Sequence, residues 1–473
     1  MSKFYIVICF LFLFTSCSDW LDIKPDSEVV EEDMFESESG YKDALVGVYS
    51  LMSARGVYGG NLTMGTLDVL AQNYNVRFSP SLTDLAKFDY VQELPEGRIN
   101  QIWGDMYNVI ANCNTIIEHI ELLSKESFTE DNYNLIYAEA LGLRAYVHFD
   151  LLRMFNAPYV SNPDYVGIPY VTIFSKEVSK QLSSKETIAH INADLSKAIT
   201  LLEGIDPILI DDDENHSSNP FLIDRHNRMN LYAIKALMAR VSLYVGDKEM
   251  ALSYAKEVID SEHYTFINPG NIINNKDYAF NNEHIFSIYT YKLKDNSDYY
   301  FSPKGNDQLF ISSPVEKMFT SDDVRFKYWL TQKKDIYEIN RYFMTKYERP
   351  EKEEEAEEYS DPNVPLIKIS EMYLIAAECL SETNTAEALT YLNKLKSERV
   401  SPVVENVANS AELLEMIKKE YHLEFLSEGQ TFFMYKRLAL DRMTNFSGAI
   451  IAMDESKYIF PLPKDEIQFG GRK

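Results

Sequence analysis

The sequence predicts a mainly α-helical protein in which helix pairs stack side by side, interrupted by long insertions of loops and short strands. Three observations predict this fold. Small residues recur at fixed offsets within one helical hairpin, the same offsets return later in the chain, and residues 60–98 and 262–348 lack a sustained helical period. Small residues let paired helices approach closely, and several stacked pairs bury one continuous core.

The clearest helix pair lies within residues 229–260. Its small or apolar residues stand at offsets 0, 7, 12 and 19: Ala239, Gly246, Ala251 and Val258. Gly246 suits the left-handed position that ends a helix, and Asp247 suits the N-cap of the next helix. This spacing is typical of a tetratricopeptide-like helix pair.

Three other segments extend the pattern. The offsets return within residues 369–397, at Ala376, Thr383, Ala388 and Leu395. Helical apolar spacing also predicts a pair spread over residues 140–200 and a helical block over residues 411–437. Because three or more such pairs are needed to bury a core, the chain supplies enough for a tetratricopeptide-like superhelix.

The two insertions carry different signals. Residues 60–98 contain two prolines, whereas residues 262–348 alternate polar turns with short β-rich runs such as HIFSIY at 284–289. Both segments are therefore predicted to form loops and short strands outside the helix pairs.

The N-terminus has the pattern of a secretion signal. Lys3 precedes eleven apolar residues at 4–14, a run too short to span a bilayer. The run ends in small residues followed by Cys17, an order that resembles a bacterial lipobox, in which the cysteine is lipidated. Residues 1–16 are thus predicted to be a lipoprotein signal peptide, with plain secretion and a retained anchor as alternatives. Residues 17–473 are predicted to be a single domain.

The composition argues against binding to nucleic acid. The chain has 473 residues and a net charge of −27, which becomes −28 once residues 1–16, with one lysine and no acids, are removed. Binding to nucleic acid needs a basic face, so this acidic chain argues against it. The chain is rich in tyrosine and phenylalanine, with 32 and 26 residues, but has only 3 tryptophans.

No catalytic or cofactor motif stands out. The sequence lacks GxGxxG, P-loop, GxSxG, HExxH and CxxC patterns. The acidic stretch at 211–215 alternates carboxylates as a calcium loop does, but His216 and Leu222 occupy its glycine and glutamate positions. Lone His148 is interpreted as a packed residue, and Cys113 and Cys379 as small buried residues for which a disulfide stays open. We expect no cofactor and no metal.

Three glutamates are spaced so that they share one face of a predicted helix. Glu420, Glu424 and Glu428 fall at i, i+4 and i+8, on one stripe of a helix. Paired carboxylates could serve glycoside hydrolysis. The preferred interpretation is structural, with arginine and backbone donors from adjacent helices satisfying them.

Several blocks together resemble the SusD/RagB family of Bacteroidetes outer-membrane lipoproteins, and they occur in the family's order over essentially the whole mature chain. The blocks are CSDWLDIKP at 17–25, WGDMYNVIANCNTII at 103–117, EALGLRAYVHFDLLRMFNAPY at 139–159, EYHLEFLSEGQTFFMYKR at 420–437 and YIFPLPKDEI at 458–467. They are similar to the family's D-x-L-D-x-x-P opening, its W-x-x-x-Y helix, its L-R-A and E-F-x-x-E-G helices, and its closing F-P-I-P segment.

The chain departs from the family pattern at four positions. Asn156 stands in a usual glycine slot, Tyr421 and Thr431 replace expected arginines, and Met434 replaces an expected aspartate. These changes weaken the ion pairs that the family makes between helices, so the packing around Glu420 and Glu424 is left open by the sequence.

The resemblance implies a non-enzymatic binder at the cell surface. It implies capture of an oligosaccharide outside the cell and delivery to a TonB-dependent, SusC-like barrel transporter, with the lipid on Cys17 anchoring the protein to the outer membrane. The helix pairs are expected to face the barrel, and the two insertions to carry the ligand site.

Sugar rings have apolar faces and hydroxyl edges, so a binder needs aromatic platforms with polar groups beside them. Trp20 and Trp103 lie in family blocks and are expected to be structural. The insertions supply the candidate ligand-binding residues, carried over as regions and not as matched positions: Tyr74, Asn75, Arg77, Phe78, Tyr90, Tyr299, Tyr300 and Trp329.

Three alternatives remain open. The first is a peptide binder of the same family, and the second is a surface glycosidase that uses Glu424 and Glu428. The third is a periplasmic tetratricopeptide scaffold without a small ligand.

Overall fold

A computed structural model describes residues 33–209, 221–351, 355 and 358–472 of the chain. The predicted signal peptide, the lipidation site Cys17, Trp20 and the acidic stretch at 211–215 lie outside the described residues. Within them, the prediction of a mainly α, tetratricopeptide-like fold is confirmed.

The helices of at least four residues are, in chain order, α1 (Glu38–Met52), α2 (Thr66–Leu70), α3 (Pro80–Thr83), α4 (Glu93–Glu121), α5 (Asn132–Phe155), α6 (Ser184–Leu202), α7 (Leu231–Val245), α8 (Lys248–Asp260), α9 (Pro269–Asn274), α10 (Leu293–Phe301), α11 (Ser313–Glu316), α12 (Val324–Trp329), α13 (Ile369–Leu380), α14 (Thr385–Glu398), α15 (Ser410–Glu424), α16 (Gln430–Arg437), α17 (Glu455–Tyr458) and α18 (Lys464–Gln468).

The strands are short: β1 (Tyr74–Asn75), β2 (Val166–Pro169), β3 (Gln181–Ser183), β4 (His284–Tyr289), β5 (Phe310–Ile311), β6 (Leu330–Lys334), β7 (Asn340–Met344), β8 (Asn363–Lys368), β9 (Arg442–Thr444) and β10 (Ile450–Ala452). In the described ranges they form two-stranded antiparallel sheets that pair β1 with β5, β2 with β3, β4 with β8, β6 with β7 and β9 with β10.

Neighbouring helices form a continuous row. Helix α4 packs on α5, α5 on α6, and α6 on α7. The row continues as α7 packs on α8, α8 on α13, and α13 on α14 and α15. The buried core therefore runs along the helix row, as expected of stacked helix pairs.

Local sequence explains where these helices begin and end. Gly246 takes a left-handed φ of 87° after α7, and Asp247 accepts a hydrogen bond from the backbone of Met250 as the N-cap of α8. Ser183 forms a capping box with Glu186 at the start of α6. The junction predicted from Gly246 and Asp247 is thus confirmed.

The structure corrects two expectations about the insertions. Residues 93–98 already belong to α4, and residues 262–348 contain short helices as well as strands. Tyr299 and Tyr300 lie in α10 and Trp329 ends α12, so these rings project from helices and not from loops. The predicted strand at 284–289 is confirmed as β4.

The individually interpreted residues are buried. His148 is fully buried: its Nε2 accepts from the amide of Val171, its ring stacks on Tyr170 at 3.9 Å, and burial lowers its pKa to about 3. Cys113 and Cys379 are free and buried, and burial raises the pKa of both thiols to about 12. Neither thiol takes part in a disulfide.

A buried ion cluster ties α5 to the segment before α7. Glu139 is fully buried; it accepts from Arg225 at 2.6 Å and from the Tyr49 hydroxyl at 2.5 Å, and pairs with Arg228 at 3.2 Å. Burial acts to raise the pKa of Glu139, but Arg228 and Arg225 outweigh it, so the net shift is downward.

We expect Glu139→Gln to reduce the free energy of unfolding at pH 7 by about 2 kcal/mol, because it removes charge-assisted hydrogen bonds. The carboxylate has a lower pKa in the folded state, so its contribution is present above about pH 4.5 and is lost as the pH falls through the folded pKa. Urea unfolding between pH 7 and pH 3 measures the effect. The difference between parent and variant should narrow below about pH 4.5; a constant difference would contradict the assignment. Glu257, whose side chain is 45% exposed and pairs with the half-buried Lys235, supplies the control: Glu257→Gln is expected to cost less than about 1 kcal/mol.

Candidate aromatic binding site

The two insertions meet at a short sheet. Strand β1 from the first insertion pairs with β5 from the second, with Asn75 opposite Phe310. Asp307, just before β5, accepts from the hydroxyls of Ser79 at 2.6 Å and Ser81 at 2.8 Å. The connection between the insertions is therefore held by both backbone and side-chain hydrogen bonds.

The hairpin β6–β7 brings a third segment next to the sheet of β1 and β5. Its turn is fixed by Asp335, which is buried and accepts from the amides of Tyr337 at 2.8 Å and Ile339 at 3.0 Å. Burial acts to raise the pKa of Asp335, while these amides and Arg341 lower it, and the net direction is downward. The turn carries Ile336, Tyr337 and Ile339, which remain 55%, 66% and 45% exposed.

Phe78, Phe310 and Tyr337 form a surface that we call the aromatic ledge. The ring of Phe78 lies 5.6 Å from that of Tyr337 and 6.0 Å from that of Phe310. Arg341 lies 5.2 Å from the Phe310 ring, and Arg77 is exposed beside Phe78. Tyr337 is exposed and Phe78 is half-buried, while Phe310 is buried, so the ledge combines two accessible rings with guanidinium donors.

Among the predicted site residues, the structure brings Asn75, Arg77 and Phe78 together on the ledge. Asn75 is half-buried and its Oδ1 accepts from the amide of Arg77 at 3.0 Å, which fixes the loop before Phe78. Tyr299 is half-buried elsewhere, with its ring under the guanidinium of Arg55 at 4.2 Å.

Four predicted platforms are instead packed into the core, and this corrects the sequence-based expectation. Tyr74 is fully buried with its hydroxyl 2.5 Å from that of Ser427. Tyr90 donates to the carbonyl of Lys457 at 2.6 Å. Both rings are enclosed by neighbouring side chains, so neither presents a face to a ligand.

Tyr300 and Trp329 are the other two predicted platforms that are buried in the core. Tyr300 is 1% exposed and lies so close to Gly65 that a Cβ there would come within 2.7 Å of its ring. Trp329 is 0% exposed; Lys346 lies 4.0 Å from its ring, and its Nε1 donates to the carbonyl of Tyr278 at 2.7 Å. Packing of α10 and α12 against the core accounts for both.

Tyr337 and Arg341 were not singled out from the sequence. A signal was present, because the turn reads DIYEI at 335–339, where polar residues are usual. Apolar residues exposed at a turn point to a binding role.

Glu420 and Glu424 lie on α15, which ends at Glu424, whereas Glu428 lies in the turn before α16, so the prediction of one helical stripe is wrong for Glu428. All three carboxylates nevertheless belong to one buried ion network. Glu424 contacts Arg325, Arg399 and Lys368 at 2.8–3.0 Å. Glu420 pairs with Arg325 at 2.6 Å, and Glu428 pairs with Lys368 at 2.7 Å. The three carboxylates are 0–4% exposed, so the partners that the family departures left open are supplied by other helices and strands.

No group of three His, Cys, Asp or Glu side chains among the described residues is arranged to hold a metal ion. Within the same residues, none of the helices is both long and apolar enough to cross a membrane.

Comparisons with known proteins add a family relationship. The profile described as "Starch-binding associating with outer membrane" matches residues 19–206, and the SusD family profile matches residues 250–468. The SusD-like protein P38 of Formosa agariphila is 20% identical over 97% of this chain and 95% of its own length. The SusD-like protein P25 of the same organism is 19% identical over 60% of this chain, a match that spans half of that relative.

Solved structures share the fold. A SusD superfamily protein from Bacteroides thetaiotaomicron has a TM-score of 0.74 and 22% identity, over 92% of this chain and 98% of its own. Surface glycan-binding protein A from Bacteroides fluxus has a TM-score of 0.71 and 20% identity, over 91% of this chain and 96% of its own.

Proposed function

Because this chain belongs to the SusD/RagB family, we propose that it is a non-catalytic lipoprotein of the cell surface that captures an oligosaccharide and delivers it to a TonB-dependent transporter. The observation that carries the proposal is the aromatic ledge, where Tyr337 is 66% exposed and in ring contact with Phe78.

The ledge has the chemistry that a sugar chain requires. A pyranose ring presents C–H groups on its faces, which pack on aromatic rings, and hydroxyls on its edges, which bind polar groups. Phe78 and Tyr337 supply the rings, and Arg77 and Arg341 supply donors beside them. Rings tilted by 50° to each other suit a curved sugar chain better than a flat one.

The ion network supports a binding role over hydrolysis. A retaining or inverting glycosidase needs two carboxyl groups that reach the scissile bond. Glu424 and Glu428 are 0% and 4% exposed and are paired with buried cations, so no substrate reaches them. Purified protein should therefore release no product from the oligosaccharides it binds.

The proposed location follows from the predicted lipidation of Cys17 and from the family profile's description. A lipid chain on the mature N-terminus would tether the protein to the outer membrane and leave the folded part outside the cell. Co-purification of a TonB-dependent barrel with the full-length protein from its native membrane tests delivery. Protease treatment of intact cells separates a surface protein, which is cut, from a periplasmic scaffold, which is not.

We expect Phe78→Ala and Tyr337→Ala each to weaken oligosaccharide binding at least about tenfold, the equivalent of about 1.4 kcal/mol. Each change removes one stacking face of the ledge. Isothermal titration of residues 18–473 against maltoheptaose and other oligosaccharides measures the affinity.

Two controls accompany this titration. Tyr337→Phe keeps the ring and should retain most of the affinity. Phe469→Ala removes a ring that is 73% exposed on the C-terminal segment and should leave binding unchanged. Unchanged affinity in both ledge variants would exclude the ledge as the site, and binding of peptides without any glycan would favour the peptide-binding alternative.

A further inference from the structure

A second groove lies outside the aromatic ledge and is built from different elements. It runs between the C-terminal half of α1, residues 221–228 and the end of β4, and it encloses about 400 Å³. Its lining includes Tyr49, Ser50, Phe221, Arg228, Tyr289 and Tyr291. A volume of this order falls within the range of small-ligand clefts, about 300–1,000 Å³.

Two tyrosines at the mouth of the groove are unusually exposed. Tyr291 is 80% exposed and Tyr289 is 53% exposed, whereas most aromatic rings of the helix row are buried. Since Tyr289 ends β4 and pairs across the sheet with Asn363, its backbone position is fixed. The exposed ring of Tyr289 stands on this fixed strand end, with Tyr291 two residues beyond it, and a platform on a fixed backbone requires little reordering on binding.

Arg228 forms the polar wall. Its guanidinium lies between the rings of Tyr49, at 5.0 Å, and Phe221, at 4.7 Å. The buried Nη2 atom makes no hydrogen bond within the described residues, and the buried Nε lies 3.2 Å from Glu139 Oε2, an ion pair whose geometry falls short of a hydrogen bond. A small shift of this side chain would present these donors to a ligand hydroxyl.

The charges in this wall are already balanced. Arg228 pairs with Glu139, and Arg225 binds Asp206 at 3.1 Å through both Nε and Nη2. The whole chain carries a net charge of −27. Both described guanidinium groups of this wall are thus already paired, and the acidic chain disfavours the approach of a carboxylate or sulfate group.

The wall is also preformed. Asn230 donates to the carbonyl of Arg225 at 2.9 Å, and Ser287 of β4 donates to Asn227 at 2.8 Å. These bonds fix residues 225–227 against β4, so the groove retains its shape without a ligand.

We propose that this groove is a second glycan-binding site, which takes a neutral pyranose segment with Tyr291 and Tyr289 as its platforms and Arg228 as its donor. The inference rests on the proposed function in that the ligand is a sugar, but it requires neither the aromatic ledge nor the transporter. A chain with two such sites holds a polysaccharide at two points, which raises its overall affinity without any new contact at the ledge.

The test uses residues 18–473 labelled with 3-fluorotyrosine. The fluorine signals of the groove are assigned with Tyr289→Phe and Tyr291→Phe, and the protein is titrated with malto-, cello-, xylo- and mannohexaose and with hexagalacturonate. We expect the Tyr291 signal to shift with at least one neutral hexasaccharide. Arg228→Met, which keeps the packing volume but removes the donors, should weaken that response at least threefold.

The double variant Phe78→Ala/Tyr337→Ala separates the two sites. If the Tyr291 signal still shifts in this variant, the groove binds sugar independently of the ledge. This result would support the groove even if the ledge itself does not bind sugar. The groove proposal is overturned if the Tyr291 signal does not shift with any neutral sugar or shifts only with hexagalacturonate. It is also overturned if the shift disappears in the double variant.

Discussion

Replacing Glu424 with glutamine is expected to destabilise the protein by about 3–5 kcal/mol, the cost of removing one partner from a buried ion pair. Glu424 Oε2 accepts from Arg325 at 3.0 Å and Arg399 at 2.9 Å, and Oε1 accepts from Lys368 at 3.0 Å. Burial acts to raise the pKa of Glu424, but these cations hold it well below its usual range. The variant therefore removes the one carboxylate that Arg325, Arg399 and Lys368 share, and it leaves the buried network with an excess of positive charge.

Urea unfolding at pH 7 measures this loss. Glu415 lies on the same helix, is 71% exposed and pairs with Lys418, so Glu415→Gln should cost less than about 1 kcal/mol. A loss of less than about 1 kcal/mol for Glu424→Gln would contradict the assigned network. The same variant also tests the glycosidase alternative. If the protein only binds glycans, neither the parent nor Glu424→Gln should hydrolyse them, and the variant should differ from the parent in stability alone.

The second large effect is expected at Gly429, where alanine should cost about 2–5 kcal/mol. Gly429 has a φ of 72°, and a Cβ there would lie 1.9 Å from the carbonyl oxygen of Leu62. The backbone cannot move aside easily, because the Gly429 amide donates to Asp68 at 3.0 Å and the Ser427 amide donates to the same carboxylate. Strain and steric overlap therefore add.

Gly246→Ala isolates the backbone part of this effect, without the steric overlap. Gly246 has a φ of 87°, but a Cβ there meets no atom within 4 Å, so only the left-handed backbone is penalised, by about 1–2 kcal/mol. The two variants are compared by thermal and urea unfolding. Equal losses in both would show that the contact with Leu62 is relieved without cost.

The helix row was predictable because its determinants are local. Gly246 and Asp247 mark one helix end and the next helix start by their backbone preferences alone. Asn156 shows the limit of this reasoning: it stands where the family has glycine, and its side chain accepts from the amide of Ile168 and donates to Ser184. A long-range role of this kind has no local signature.

The candidate site was predictable by region but not by residue. Residue type and region cannot separate Phe78, which lies on the ledge, from Tyr74, which is buried four residues earlier. The side of the chain that faces the core depends on the pairing of β1 with β5, a contact between segments more than 230 residues apart. Tyr337 is likewise brought to Phe78 by the hairpin, a contact between residues more than 250 positions apart.

The setting of the hairpin has a consequence for selectivity. At the base of β6 and β7, Trp329 is enclosed in the core, and Lys346 pairs with Glu428 of the ion network. A platform anchored in this way cannot adapt its curvature to different partners. Sugar chains whose solution conformation already follows the tilt of Phe78 and Tyr337 should therefore be preferred, and flexible or differently linked chains should lose affinity in proportion to the ordering they require.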